Sequence, residues 1–204
     1  MELIKNRIDA FSEDINYESL LKFASSIDYD ELDYEAHLPA PECEGDYGRN
    51  VICMDPFECV LIHWPAGIES GIHDHNGLYG CVQVLEGEIE NVFYRETETE
   101  LQETVIQGFC EGDLVPEPDE AIHKIRNASN SKRAVTMHFY NPPLRTLDGV
   151  RIFDIESGSI GVLSKDAETA SWSEEYGHFK SIKSDAFEYI CHEDLLKREA
   201  HADN

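Results

Sequence analysis

The sequence predicts a single all-β domain, an antiparallel barrel or sandwich with additional segments at both ends. Between Arg49 and Ile155 the chain has many short runs rich in Val, Ile, Phe and Tyr, and clusters of Gly, Pro, Asn and charged residues separate them. This pattern is typical of many short strands. With 204 residues the chain can bury one sizeable core, and usual domain sizes favour one domain with appendages over two.

The two ends have other patterns. Apolar residues between Tyr17 and Ile27 recur at helical spacing, which predicts one or two helices that end before Pro39 and Pro41. After Asp154 the chain is rich in turn residues, and the stretch DAFEYICHEDLLKREA has the pattern of a final helix. We therefore predict an N-terminal helical segment packed on the barrel (1–44), the barrel with the functional site (45–160) and a C-terminal extension (161–204).

The charge of the chain excludes some partners. Forty-two acidic against sixteen basic residues give a formal charge of −26, which repels phosphate backbones and anionic lipid headgroups. We expect no nucleic-acid partner and no membrane partner. The acidity is spread along the chain, as on a solvated surface, rather than gathered in a tail. We expect a monomer or a weak homo-oligomer.

The six cysteines favour a reduced, cytoplasmic protein. They are too sparse for a disulfide-built scaffold and include no Cys-x-x-Cys pair. No segment has the uninterrupted apolar length of a signal peptide or of a membrane span. The cysteines are Cys43, Cys53, Cys59, Cys81, Cys110 and Cys191.

A His-x-His pair is the first feature that indicates chemistry. His73 and His75 lie in a strand-like context, where alternate residues point to the same face. Both imidazoles would then project into one interior, as two ligands of a metal ion would, but two histidines do not complete a site. Taken alone, the motif is equally consistent with two strand histidines that are exposed or hydrogen-bonded and bind no metal.

The residues around the pair resemble the two motifs of the cupin family. From Gly67 to Gly87 the chain reads G-x5-HxH-x4-G-x6-G, and from Gly112 to Asn127 it reads G-x5-P-x4-H-x3-N. The resemblance implies a double-stranded antiparallel β-helix, or jelly-roll barrel, with His123 as the third ligand. The glutamate that usually completes the metal shell is replaced by Gly80, and the usual glycine of the second motif by Glu120.

Three neutral histidines leave a divalent metal its full charge and open positions for an anionic group such as a thiolate. The ligands alone do not choose between iron and zinc.

More specifically, the chain resembles the cysteine dioxygenases, or thiol dioxygenases more broadly. The resemblance rests on YGRN, GIESGIHDH, HKIRN and MHFYNPP and covers roughly residues 17–155. It implies Fe(II) held by His73, His75 and His123, which binds a small thiol substrate and O2. Both oxygen atoms are then transferred to sulfur, and the product is a sulfinic acid.

The stretch AVTMHFYNPP predicts a row of polar side chains. Thr136, His138 and Tyr140 are two residues apart, so a strand places them on one face, where they can hydrogen bond. Without the metal motifs, this would be an inward-facing core row with satisfied polar ends. The resemblance implies that the Tyr140 hydroxyl contacts oxygen or substrate, that His138 orients it, and that Thr136 supports His138.

The YGRN stretch supplies candidate substrate-binding residues. A guanidinium can hold a carboxylate through two parallel hydrogen bonds, which makes Arg49 a candidate for the substrate carboxylate, unless it is a surface arginine. The resemblance places Tyr47 beside it. Arginine here resembles the members that use cysteine, whereas glutamine marks relatives that oxidise 3-mercaptopropionate. Arg145 is a second candidate partner for a carboxylate.

One departure from the family pattern predicts a difference in chemistry. Animal members carry a cysteine at the position of Gly80, joined by a thioether to the active-site tyrosine. Cys81 is adjacent but should face the other side of its strand. We expect a bacterial-type member without this cross-link. Two alternatives remain: a dioxygenase for another thiol acid, such as 3-mercaptopropionate, and a cupin that binds a metal or small molecule without turnover.

Overall fold

The fold consists of two β-sheets that face each other, with two helices against the outside of one. The computed structural model describes residues 1–41 and 44–202. Thirteen strands are present in this part of the chain. The strands of the first sheet are β1 (Gly48–Cys53), β2 (Glu58–Trp64), β4 (Tyr79–Glu86), β7 (Leu114–Glu117) and β9 (Ala134–Asn141). The strands of the second are β3 (Ile72–Asp74), β5 (Glu88–Glu96), β6 (Glu100–Cys110), β8 (Ile122–Asn127), β10 (Arg151–Asp154), β11 (Ser159–Leu163), β12 (Phe179–Lys183) and β13 (Glu188–Ile190).

The strand order confirms the predicted antiparallel barrel. The five-stranded sheet runs β1-β2-β9-β4-β7 and the eight-stranded sheet runs β12-β11-β10-β3-β8-β5-β6-β13. Strand neighbours are antiparallel, except for the parallel pair of β13 and β6. Because the chain passes repeatedly from one sheet to the other, residues that are distant in sequence meet in the space between the sheets.

Strand β9 shows how alternation separates the core from the functional interior. Met137 and Phe139 point to the helical side, where they join a fully buried apolar cluster. Thr136, His138 and Tyr140 point the other way, into the space between the sheets. The period of two predicted from the sequence is therefore present in the structure.

The N-terminal helices cover the outer face of the five-stranded sheet. They are α1 (Glu2–Asp9) and α2 (Tyr17–Ser25), and Asn16 with Ser19 forms a capping box at the start of α2. Phe23 of α2 makes edge-to-face contacts with Phe57 and Phe139 at centroid distances of 5.1 and 5.9 Å. None of the helices in the described ranges has the length and apolar character needed to cross a membrane.

The C-terminal part differs from the prediction in one respect. The stretch predicted as a final helix begins with a strand, Glu188–Ile190, and only His192–Ala202 forms a helix, α3. Tyr189 and Ile190 pair in parallel with the edge of β6, and this pairing satisfies backbone groups that a helix would have bonded internally. Strand β11 crosses the predicted end of the barrel at residue 160, and β12 and β13 extend the second sheet beyond it. Cys43 lies outside the described residues.

Candidate metal centre

The three histidines named from the sequence come together between the sheets. His73 on β3 stands directly opposite His123 on β8, and His75 follows just after β3 ends. One ring nitrogen from each lies within 4.8 Å of those of the other two. His75 and His123 are buried and His73 is half-buried. The register of two short strands therefore gathers the cluster.

Hydrogen bonds fix the ring tautomers of two of these histidines. The Nδ1 atom of His73 lies 2.9 Å from the carbonyl oxygen of Gly71, and Nδ1 of His123 lies 2.8 Å from Oδ1 of Asn91. Because both partners are acceptors, each Nδ1 carries the proton and each Nε2 presents a lone pair. Partners of this kind orient the histidine ligands of metal ions.

The cluster fits a divalent cation. Burial lowers the pKa of all three histidines, that of His75 to about 3, so the rings are neutral. Nε2 of His75 lies only 2.7 Å from Nε2 of His123. Without a cation, the Nε2–H of a neutral His75 can donate to the lone pair of His123; a bound cation would instead take the lone pairs of both nitrogens.

A chain of hydrogen bonds runs along β9 beside the histidines. The Nε1–H of Trp64 donates to Oγ1 of Thr136 at 2.8 Å, and this oxygen lies 2.7 Å from Nε2 of His138. Nδ1 of His138 lies 2.7 Å from the Tyr140 hydroxyl, which donates to Oε2 of Glu117 at 2.9 Å.

The direction of this chain follows from its last step. Because Tyr140 donates to Glu117, its oxygen accepts from Nδ1–H of His138. Burial lowers the pKa of His138 to about 3, so the ring is neutral and its Nε2 accepts from the Thr136 hydroxyl. Every hydrogen-bonding group of the row then has a partner in a single arrangement of protons.

Glu117 is a buried carboxyl group that the sequence motifs did not indicate. It has no solvent exposure, and burial raises its pKa to about 8. Its Oε2 atom lies 3.9 Å from Nε2 of His75, and its Oε1 atom lies 3.7 Å from Nδ1 of His123. Oε1 has no hydrogen-bond partner among the described residues. A bound divalent cation would act to lower this pKa through its own charge.

A cavity of about 440 Å³ opens onto the histidines. Its lining includes the three histidines, His138 and Tyr140, together with Tyr47, Arg49 and Arg145. Residues 167–170, from the loop between β11 and β12, form part of the outer wall. The volume suits a small molecule rather than a polymer.

The loop of the outer wall is held in shape by a single carboxylate. Glu174 accepts hydrogen bonds from the backbone N–H of Glu168 at 2.7 Å and from that of Thr169. It also accepts from Nδ1–H of His178 at 2.5 Å. Residues of the same loop pack on Val150 and Leu163. The C-terminal extension, whose role the sequence left open, thus contributes to the cavity.

The predicted substrate-binding residues lie at the cavity, but their charges already have partners. Arg49 is ion-paired with the fully buried Glu58 through one terminal nitrogen. Arg145 is ion-paired with Asp55 at 2.9 Å and is largely exposed. Tyr47 packs on Trp64 at a centroid distance of 4.6 Å. Burial raises the pKa of the Tyr47 hydroxyl.

Sequence reasoning missed three polar residues of this region. Asn91, Glu117 and Glu58 are all fully buried. Each lies in a run that reads as an ordinary strand, and only the pairing of strands brings them to the site. A polar residue at an inward position of an apolar strand was the available signal.

A double-stranded barrel of this kind is a cupin fold, and the three-histidine cluster inside it is compatible with a bound metal ion. The model of the family described as cysteine dioxygenase type I matches residues 44–154, more than half of the chain. The chain therefore belongs to the cysteine dioxygenase type I family.

Known proteins show the same relationship at low identity. The cysteine dioxygenase type 1 of Danio rerio is 24% identical over 166 residues, which cover 78% of this chain and 72% of that protein. The protein of the same name from Homo sapiens is 25% identical over 118 residues, which cover 55% of this chain and 58% of that protein. A solved double-stranded β-helix protein from Klebsiella pneumoniae is 16% identical, with a TM-score of 0.45, over 63% of this chain and 96% of that chain.

Proposed function

We propose that this protein is an iron-dependent dioxygenase that oxidises the thiol of L-cysteine to cysteine sulfinic acid. The observation that carries the proposal is that the three neutral histidines and the Tyr140–His138 pair face one small cavity. Membership of the cysteine dioxygenase type I family supports the same reaction class. His73, His75 and His123 would hold the Fe(II).

The reaction is balanced without a further reductant. The thiol sulfur loses four electrons and becomes a sulfinate, while dioxygen gains four electrons and both of its atoms end on sulfur. Iron(II), when bound, supplies a binding position for the thiolate and the activation of dioxygen.

The residues of the chain supply orientation and proton control. Arg49 engages Glu58 with only one of its terminal nitrogens, so its other N–H groups remain available to a substrate carboxylate. The Tyr140 hydroxyl accepts from His138 and donates to Glu117, so this row fixes the phenol oxygen beside the cavity. A site that only binds a metal has no use for such a row.

The pairing of Arg49 with Glu58 favours one second candidate. Because Glu58 already balances the charge of Arg49, a substrate carboxylate is not required for that purpose. The second candidate is therefore the same oxidation of a small thiol without a carboxylate, such as cysteamine.

The deciding experiment compares metals and thiols. We expect the Fe(II)-loaded protein to consume one O2 per cysteine and to yield a sulfinate with both oxygens derived from labelled dioxygen, and the zinc-loaded protein to be inactive. We expect His73→Ala, His75→Ala and His123→Ala each to lose metal. Turnover with zinc alone, or oxygen consumption that thiols do not change, would contradict the proposal.

A further inference from the structure

Glu117, Gly80 and Tyr140 lie side by side across three neighbouring strands. In the first sheet β4 lies between β9 and β7. Gly80 of β4 pairs with Tyr140 of β9 on one side and with Glu117 of β7 on the other. The two functional side chains are therefore separated by a residue without a side chain.

The tyrosine ring uses the space that this glycine leaves. A Cβ atom at residue 80 would lie 2.4 Å from Cδ1 and 3.0 Å from Cε1 of Tyr140, well inside normal contact. The ring thus lies over the backbone of Gly80, and its hydroxyl reaches the carboxylate of Glu117 on the far strand. A side chain at residue 80 would block this reach.

The burial of Glu117 costs free energy, and a function of this residue must compensate for that cost. A fully buried carboxyl group is costly unless hydrogen bonds or charges compensate. Its one hydrogen bond within the described residues comes from Tyr140 at 2.9 Å, and its second oxygen is unpartnered. A residue kept only for stability at this position would be apolar, like its neighbour Val115, which is also buried.

We infer that Glu117 is the positioning residue of Tyr140. It fixes the hydroxyl at the edge of the cavity and closes the hydrogen-bond chain that begins at Trp64. Its effect on catalysis therefore passes through Tyr140 rather than through direct contact with the substrate. The predicted effect of Glu117 on catalysis rests on the proposed function, whereas its hydrogen bond with Tyr140 does not.

The first test uses kinetics of the iron-loaded protein. Because Glu117→Ala removes the buried hydrogen bond that holds the Tyr140 hydroxyl, it should lower kcat by about 10- to 100-fold and change KM little. Glu117→Gln retains an acceptor oxygen and should recover part of the loss. In a Tyr140→Phe background, Glu117→Gln should have almost no further effect, because the group through which it acts is absent.

The second test does not depend on activity. In protein labelled with 13C at the tyrosine Cζ, the signal of Tyr140, assigned with Tyr140→Phe, should move in Glu117→Gln, because the carboxyl group that accepts from the hydroxyl is replaced by an amide. The matched control is Glu103→Gln. Glu103 accepts from the hydroxyl of Tyr189 at 2.7 Å on the other sheet. This control should move the Tyr189 signal, and leave Tyr140 and kcat unchanged.

The inference would be overturned if Glu117→Gln did not move the Tyr140 signal. It would also be overturned if Glu117→Gln lowered kcat as much in the Tyr140→Phe background as in the unmodified protein. Loss of iron in Glu117→Gln would overturn it as well, because Glu117 would then be a ligand. If no thiol is oxidised at all, the proposed function fails, and the Cζ signal still decides the role of Glu117.

Discussion

The guanidinium of Arg49 is ion-paired with the fully buried carboxylate of Glu58 at the mouth of the cavity. The other oxygen of Glu58 accepts from the backbone N–H of Leu144 at 2.7 Å. Glu58 therefore holds both the arginine and the segment that follows β9. A change at Arg49 acts on the protein as well as on its substrate.

For this reason we predict a double effect of Arg49→Ala. Glu58 is fully buried but Arg49 is 41% exposed, so water can partly replace the guanidinium, and the cost in stability should be about 1 to 3 kcal/mol. Loss of the carboxylate partner should raise KM for cysteine about 30-fold or more. Denaturant unfolding and kinetics measure the two effects. In Arg49→Gln/Glu58→Gln, stability should largely recover while KM stays high. If stability and KM both recovered in the double variant, the only role of Arg49 would be its ion pair with Glu58.

Arg49→Gln should also shift substrate preference toward 3-mercaptopropionate relative to cysteine. Cysteamine should be a poor substrate of the unmodified protein, since it offers no carboxylate. The ratio of kcat/KM values for the three thiols measures both expectations. Equal oxidation of cysteamine and cysteine would contradict the assignment of Arg49 to a carboxylate.

Gly80→Ala should be harmful although it adds only a methyl group. The new Cβ would lie 2.1 Å from the backbone oxygen of Phe139 as well as against Tyr140. Overpacking of this kind costs about 1 to 3 kcal/mol, and displacement of the ring should also lower kcat. The matched control is Gly108→Ala, because a Cβ there meets no atom within 4 Å. Equal stability of the two variants would be contrary to this expectation.

Asn91→Ala should weaken metal binding, although Asn91 is not a ligand. Its Oδ1 atom holds Nδ1 of His123 at 2.8 Å, and loss of such a partner typically costs 10- to 100-fold in metal affinity. Competition with a chelator gives the dissociation constant. Asn130→Ala, at an exposed position, is the control and should bind metal normally.

We expect no thioether between Tyr140 and any cysteine. Gly80 has no sulfur, and Cys81 packs in the apolar cluster on the helical side of the sheet, opposite Phe139 rather than Tyr140. Peptide mass spectrometry of the active protein measures this. A cross-linked peptide containing Tyr140, lighter by about two hydrogens, would disprove the argument that Cys81 faces away from Tyr140.

The His178–Glu174 pair should titrate visibly. The hydrogen bond that His178 donates to Glu174 raises the pKa of His178 above its ordinary value of 6.5, with the charges of Glu175 and Glu168 adding to the effect. Partial burial acts to raise the pKa of Glu174, but hydrogen bonds from His178 and the backbone of Thr169 leave it below its ordinary value of 4.5. NMR titration should give a His178 pKa above 6.5 that falls in Glu174→Gln.

The sign of the resulting stability change follows from these directions. The contribution of His178 is complete below pH 6.5 and is lost as pH rises through its raised pKa, while that of Glu174 is complete above pH 4.5 and is lost as pH falls through its lowered pKa. The wall loop should therefore be best ordered between these two values. A His178 pKa that Glu174→Gln leaves unchanged would contradict the pairing.

The sequence predicted what depends on local order along the chain. Alternation on β9 placed Thr136, His138 and Tyr140 in one hydrogen-bonded row, because a period of two leaves few other arrangements. The meeting of His123 with His73 and His75 was expected only from the resemblance to the two cupin motifs, because it depends on the pairing of β3 with β8.

What the sequence did not reveal depends on which strands become neighbours. Glu117 reaches Tyr140 only because β7 and β9 flank β4, and Asn91 reaches His123 only because β5 pairs with β8. The misassigned start of the last helix has a similar cause. Residues 188–190 pair with the edge of β6, and this long-range contact overrides their local preference.

The loop that carries residues 167–170 lies after the part of the chain that matches the family, which ends at residue 154. The histidine-bearing half of the cavity and its outer wall thus belong to different stretches of sequence. Insertions or substitutions in this loop can alter which molecules enter without disturbing a single histidine.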